Sequence, residues 1–227
     1  MHLHIPDGVL PPLAWAPALA VALALFLWSG RARTGTRVLL AYQGALGALT
    51  LAAMAIEIPL GPLEYHLTLI GPLGVLLGPT RAFQVLMIVN ALLALLGHGG
   101  FTVVGLNALV LGAGAALARP AYRALARRLP PPASLALATA LAQGASGILW
   151  LGVVSYALRA GGSTPGAAAP GSRLGLVAGL VFPMWLVGII VESLVAFGVG
   201  RFLARVRPDL LPAPRAGVGA SEGREAA

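Results

Sequence analysis

Long runs of apolar residues, separated by short clusters of arginine, dominate this sequence. The longest runs span residues 9–28, 38–58, 101–118, 133–158 and 174–200. A helix rising about 1.5 Å per residue crosses a hydrocarbon layer of about 30 Å with runs of this length. Because 58% of the residues are hydrophobic and only 10% are charged, one water-soluble core could not bury them. The chain is therefore predicted to be a polytopic membrane protein.

The composition of the runs selects helices over a barrel. A membrane-spanning backbone must satisfy its own hydrogen bonds, and runs of Ala, Leu, Val and Gly without aromatic alternation favour helices. Two shorter runs, residues 67–77 and 82–96, predict tilted or partial helices around a central site. We prefer two crossings to a re-entrant hairpin here, because a hairpin would bury Arg81 at its tip. The predicted fold is all-α with about seven transmembrane helices.

The arginines indicate the orientation of the chain. Seven spans place Arg159 and Arg173 on one side and all the other arginines on the opposite side. The larger group consists of Arg31, Arg33, Arg37, Arg81, Arg119, Arg123, Arg127, Arg128, Arg201, Arg205, Arg207, Arg215 and Arg224. Positive charge collects on cytoplasmic loops, so the amino terminus is expected outside and the carboxyl terminus in the cytoplasm. The net charge of +8 thus follows the pattern of a membrane protein and does not indicate nucleic-acid binding. Together with the apolar runs, it predicts a multi-pass protein of the cell's inner or plasma membrane.

We expect residues 1–207 to form a single transmembrane helical domain with a metal-binding amino terminus, and residues 208–227 a flexible cytoplasmic tail. Residues 160–172 predict a flexible loop, because Gly, Ser, Pro and Ala dominate them. The amino terminus lacks the pattern of a secretory signal, so Met1 is taken as the mature start.

The positions of the histidines suggest a site that binds a transition-metal ion. Under the predicted topology all of them fall on the outer side together with three acidic residues: His2, His4, His66, His98, Asp7, Glu57 and Glu64. A free α-amine, a deprotonated amide at position 2 and the imidazole of His2 can chelate one cation, with His66 as a fourth donor. Four nitrogen donors in a plane suit Ni(II), Cu(II) or low-spin Co(II). On chemistry alone the alternatives stay open, because terminal histidines are often solvated and a single buried histidine often only bonds its neighbours.

Several stretches resemble one family of membrane proteins. They are His4-Ile5-Pro6-Asp7-Gly8, Leu76-Leu77-Gly78-Pro79, the run from His98-Gly99-Gly100 to Asn107, Glu192, and Arg207-Pro208-Asp209-Leu210-Leu211. Together they resemble the nickel/cobalt-specific substrate-binding membrane components of energy-coupling factor transporters. The resemblance implies a seven-helix subunit that captures the metal with its terminal amine, the amide and imidazole of its second residue, and a histidine after the second span. Carried over, these ligands are Met1, His2 and His66.

The sequence departs from the family at its start, where the usual Met-His-Ile-Pro-Asp-Gly has become Met-His-Leu-His-Ile-Pro-Asp-Gly. Chelate geometry favours His2 as the ligand, whereas alignment of the motif favours His4, so both stay candidates. His98, Asn107 and Glu57 are expected to support the site rather than bind the metal. Glu192, inside the last span, is expected either to be functional or to be a paired structural carboxyl group.

The resemblance also implies partners: a transmembrane coupling subunit, ATP-binding cassette ATPases and a small accessory membrane subunit. The chain contains no lysine and hence no phosphate-binding Gly-x-x-x-x-Gly-Lys loop, so ATP hydrolysis is expected on the partners. We expect no enzyme activity and no catalytic cofactor, with Ni(II) or Co(II) as the transported ion. The rival hypotheses are an integral membrane metalloenzyme that uses the same histidines, disfavoured by the lack of a His-Glu-x-x-His pair, and a structural or channel bundle that binds no metal.

Overall fold

Seven helices make up most of the described chain, in agreement with the predicted all-α class. The computed structural model describes residues 7–8, 10–31, 36–56, 58–60, 63–160 and 170–213. The helices are α1 (Pro12–Arg31), α2 (Arg37–Ala55), α3 (Ile70–Leu77), α4 (Pro79–Leu95), α5 (Val104–Leu125), α6 (Pro131–Ala160) and α7 (Pro170–Val206). Within these residues, five helices are long and apolar enough to cross a membrane, and α4 is a shorter apolar helix. The prediction of a multi-pass membrane protein is confirmed.

The short helix α3 lies at the centre of the bundle. All of its residues except Leu76 are buried, and it packs against α4, α5, α6 and α7. Eight residues of helix rise only about 12 Å, so α3 is a partial helix, as the short apolar run predicted. Residues 66–68, which have no regular secondary structure, precede it, and Leu69 caps its amino end.

Two glycines allow α3 to approach its neighbours closely. A Cβ at Gly74 would lie 2.8 Å from the carbonyl carbon of Ala115 in α5, and one at Gly71 would lie 2.6 Å from Cβ of Thr139 in α6. These distances are shorter than any real Cβ contact, so the backbones meet only where side chains are absent.

Arginine closes the carboxyl end of α3. Arg119 donates from Nε to the Val75 carbonyl at 2.9 Å and from Nη2 to the Leu76 carbonyl at 3.1 Å. The helix itself continues beyond the predicted end of the fifth span at residue 118, through Pro120 to Leu125. The helix extends into the basic cluster because its first arginine finds acceptors on another helix and is not left in hydrocarbon.

A short hairpin that was not predicted from the sequence follows α2. Its strands, β1 (Ile58–Leu60) and β2 (Leu63–Tyr65), are antiparallel, with Ile58 opposite Tyr65. The second helix ends at Ala55, three residues before the predicted end of its span. The hairpin reverses the chain. His66 directly follows its second strand, in the segment that leads to α3.

The carboxyl end beyond α7 begins with ordered structure. Residues Pro208–Leu210 form a 3-10 turn, and Arg207 pairs with Asp209 at 2.8 Å. Leu211 packs against the main core, the large cluster of buried hydrophobic side chains contributed by α2 to α7. Most of the predicted tail, from residue 214 onward, lies outside the described residues, as do residues 161–169 of the predicted flexible loop.

Candidate metal site

His66 lies on the wall of a small cavity inside the bundle. Its side chain is only 3% exposed. The cavity has a volume of about 20 Å³, which is room for one water molecule or one ion. Its other lining residues come from β2 and the segment after it, from α6 and from α7: Tyr65, Thr68, Gln143, Met184, Trp185, Gly188, Ile189 and Glu192.

Glu192 binds the segment that carries His66. Its side chain is 1% exposed, and its Oε1 accepts hydrogen bonds from the Thr68 amide and, at 2.7 Å, from the Thr68 hydroxyl. Its Oε2 accepts the Leu69 amide at 3.1 Å. Glu192 was expected to be either functional or a paired structural carboxyl group. These hydrogen bonds supply the partners of the second role, since they connect α7 to the backbone two and three residues beyond His66.

Gln143 extends this network to α6. Its Nε2 donates to the Thr68 hydroxyl at 2.6 Å, and that hydroxyl in turn donates to Glu192. Buried polar networks of this kind are stable when each member has a partner, and they fix one arrangement of the surrounding backbone. Two helices, α6 and α7, therefore hold Thr68 in place.

The backbone at Leu69 has an uncommon conformation that the network supports. Leu69 has φ of +54°. Among the residues that the structure describes, no other non-glycine residue has a positive φ. For an L-residue this left-handed geometry costs about 1–2 kcal/mol. The hydrogen bond from its amide to Glu192 offsets that cost at the junction between residues 66–68 and α3.

Aromatic side chains close the cavity. Tyr65 donates its hydroxyl proton to the Gly188 carbonyl at 3.1 Å, and a Cβ at Gly188 would lie 2.8 Å from the Tyr65 ring. Burial, with a smaller contribution from the Glu192 carboxyl group, raises the pKa of Tyr65 above its ordinary value, so its hydroxyl stays protonated and can donate. A Cβ at Gly147 would lie 2.5 Å from Nε1 of Trp185. Glycines on α6 and α7 thus make room for the two rings.

A second group of contacts holds Asp7 near the start of the chain. The Asp7 carboxylate accepts the Phe101 amide at 2.8 Å, the Thr102 amide at 2.9 Å and the Thr102 hydroxyl. The hydrogen bond from the Thr102 hydroxyl contributes most to lowering the pKa of Asp7. Burial opposes it, and the hydrogen bonds from the Thr102 and Phe101 amides lower the pKa further.

The structure describes some of the predicted site residues and leaves others outside. Met1, His2, His4 and Glu57 lie outside the described residues. His98 is half-buried in the turn after α4 and donates its amide to the Leu93 carbonyl at 2.8 Å, while Asn107 is buried in the first turn of α5. Among the residues that the structure describes, no three His, Asp or Glu side chains come together to hold a metal. The ligand role of His2 or His4 therefore stays a prediction, with both residues as candidates.

Sequence reasoning missed several residues around His66. Tyr65, Thr68, Met184 and Trp185 line the cavity, yet none of them was singled out beforehand. The hydrogen bonds between Thr68 and Glu192 join residues 124 positions apart, so no local spacing could have indicated them. The available signal was weaker: Thr68 follows His66 by two residues in a stretch that breaks the helical pattern.

Comparisons with known proteins agree with this architecture. The family described as "Cobalt uptake substrate-specific transmembrane region" matches residues 4–210. A solved structure described as a transition metal transporter superposes with a TM-score of 0.77 at 20% identity, covering 89% of this chain and 93% of its own. A truncated transition metal transporter gives 0.76 at 20% identity, with coverage of 88% and 98%. No curated protein is significantly similar in sequence. Since the family match spans nearly the whole chain, this protein belongs to the family of cobalt uptake substrate-specific transmembrane regions.

Proposed function

We propose that this protein is the substrate-capturing subunit of an energy-coupling factor importer for Ni(II) or Co(II). The observation that carries the proposal is His66, a buried imidazole beside a cavity the size of one ion, in a family described by cobalt uptake. The backbone just beyond His66 is held by Glu192, so the imidazole can be presented in one orientation. Preorganised ligands of this kind favour tight binding of one cation.

The proposed ligands are the α-amine of Met1, the backbone amide at position 2, one imidazole from His2 or His4, and the imidazole of His66. The chain has no cysteine, so nitrogen donors are the natural ligands for a borderline transition metal. The two candidate imidazoles predict different chelates: His2 closes a small ring with its own amide nitrogen, fused to the ring that this amide forms with the α-amine, whereas His4 keeps the position of the family motif. His98, Asn107 and Glu57 would support this site.

Partners complete the transport cycle in this proposal. With the amino terminus outside, metal binds from the outer side and leaves toward the cytoplasm during movements driven by the partner subunits. ATP-binding cassette ATPases would hydrolyse ATP, a transmembrane coupling subunit would transmit the movement, and a small accessory membrane subunit would assist. The ion is cargo, and this chain performs no catalysis on it.

Calorimetry on the purified protein with its native amino terminus tests the proposal. Near one equivalent of Ni(II) or Co(II) should bind, and protons should be released because the amine and amide lose theirs on coordination. His66→Ala should weaken binding by at least about 100-fold, since it removes a ligand. His98→Ala is the matched control, a histidine outside the ligand set, with a smaller expected loss. Binding of wild-type strength in His66→Ala, or in a protein with an uncleaved amino-terminal tag, would contradict the proposed site.

Two further measurements refine the assignment. His2→Ala and His4→Ala, compared at the same pH, identify which imidazole binds, because only loss of the ligand changes the ligand-field spectrum of bound Ni(II). Competition titration of Ni(II) against Co(II) then ranks the two ions. Turnover of a substrate by the isolated metal-loaded protein would instead favour a metalloenzyme.

A further inference from the structure

Asp7 joins the amino-terminal segment to the turn before α5. Its carboxylate accepts three hydrogen bonds from two consecutive residues, Phe101 and Thr102, which lie 94 and 95 positions away. Hydrogen bonds to an ionised acceptor are about twice as strong as neutral ones. Because the donors are two successive amides and a hydroxyl, they fix the orientation of the carboxylate as well as its position.

A second, independent contact holds the same residue. Gly100 is buried, and a Cβ added there would lie 2.6 Å from the Asp7 amide nitrogen and closer still to the carboxylate. The two backbones can meet only because residue 100 has no side chain. Asp7 is therefore bound through its side chain and, separately, through close packing of its backbone.

Two described residues between Asp7 and α1, Gly8 and Leu10, have defined positions. Gly8 turns with φ of +81°, and Leu10 inserts its side chain into the main core just before α1 begins. Residues 7–10 therefore attach the start of the chain at two points, Asp7 and Leu10. Everything before Asp7 must reach its position from this anchor.

The anchor limits where the proposed ligands can be. Three residues of extended chain span at most about 11 Å and six span at most about 22 Å, which bounds the distances of His4 and Met1 from Asp7. A chain end confined to this radius samples a far smaller volume than a free terminus would.

We infer that Asp7, Gly100 and Thr102 form a clamp that positions the amino-terminal segment for metal capture, with Asp7 as a positioning residue that does not touch the metal. This inference rests on the proposed function, since it assigns the clamp a role in the same site. Loss of the clamp should lower metal affinity by about 10- to 100-fold, the usual effect of removing a residue that orients metal ligands. It should leave the coordination of the bound ion unchanged.

The absence of lysine supplies a metal-free assay of the clamp. In protein that begins at Met1, the α-amine is the only primary amine of the chain, so an N-hydroxysuccinimide ester in detergent acylates one site. Asp7→Asn, Gly100→Ala and Thr102→Val should each raise the acylation rate several-fold. Thr102→Ser keeps the hydroxyl and should behave as wild type. Asp209→Asn, which removes an exposed carboxylate near the other end of the chain, controls for charge alone.

Ni(II) titration of the same variants completes the test. Asp7→Asn and Thr102→Val should bind about 10- to 100-fold more weakly, with the ligand-field spectrum of the wild type at saturation. Wild-type acylation rates and affinities in both variants would overturn the clamp. A changed spectrum in Asp7→Asn would also overturn it, because Asp7 would then be a ligand.

The outcomes separate the clamp from the proposed function. If wild-type protein binds no Ni(II), or binds it without protecting the amine from acylation, the proposed function fails, while the metal-free rates still decide whether the clamp exists. If Asp7→Asn does not fold, the pair Thr102→Val and Thr102→Ser decides, because it differs mainly in the hydroxyl group.

Discussion

Replacing Glu192 with glutamine perturbs the network beside His66 at one atom. The glutamine oxygen can still accept the Thr68 amide and hydroxyl, but its NH₂ group then faces the Leu69 amide, which loses its acceptor. A buried backbone donor without an acceptor costs about 1–3 kcal/mol. Glu192→Leu removes the acceptor of both amides, so its cost should be about 2–6 kcal/mol.

Thermal unfolding in detergent measures this cost. For a chain of this size each kcal/mol lowers Tm by about 2–4 °C, so Glu192→Gln should lose about 2–12 °C and Glu192→Leu more. Metal affinity should fall by about 10- to 100-fold in the glutamine variant, because the segment that presents His66 loosens.

The matched control breaks a hydrogen bond far from His66. Gln43 of α2 donates to Gln84 of α4 at 3.0 Å, and Gln43→Leu should cost about 0.5–1.5 kcal/mol with no change in metal affinity. The reasoning would be refuted if Glu192→Gln kept the wild-type Tm and affinity, or if Gln43→Leu reduced the affinity equally.

Three further predictions concern other contacts. Gly74→Ala should destabilise the protein by about 1–3 kcal/mol, because its Cβ would overlap the α5 backbone, whereas Gly144→Ala, with open space around it, should be neutral or stabilising in the same thermal assay. Arg119→Met should cost about 2–6 kcal/mol in denaturant unfolding, because two carbonyls at the end of α3 lose their donors. The lowered pKa of Asp7 means that its contribution is complete above its ordinary value of 3.8 and disappears as the pH falls through the lower folded value. Protection of the Thr102 amide from hydrogen exchange should therefore stay constant above about pH 5 and fall only below pH 3.8.

The sequence was sufficient to predict the helices that cross the membrane. The hydrocarbon layer demands about 20 apolar residues for each crossing, so runs such as residues 133–158 and 174–200 mark helices directly. The ends of those helices were less predictable. Charged residues end a hydrocarbon-embedded segment but do not end a helix, so α5 and α7 extend into their arginine clusters.

The candidate site was only partly predictable. His66 stood out because histidine is uncommon in such a chain and follows a broken helix. Its surroundings depend on contacts between α6, α7 and the segment before α3, and side chains such as Thr68 and Gln143 are ordinary polar residues until the fold brings them together. The hairpin that delivers His66 was not recognised, because two strands of three residues are too short to show an alternating pattern.

The arrangement around α3 has an electrostatic consequence for a cation. Every helix carries a dipole, with about half a positive charge at its amino end, and such an end attracts anions and repels cations. The amino end of α3 follows directly on the segment that contains His66. Glu192 places its acceptor oxygens against this end, and Arg119 places its donors against the opposite one, so each compensates the partial charges of the helix end. In the proposed site, the carboxyl group that shapes the backbone beyond His66 would thereby also reduce the repulsion that a bare helix end exerts on a divalent ion.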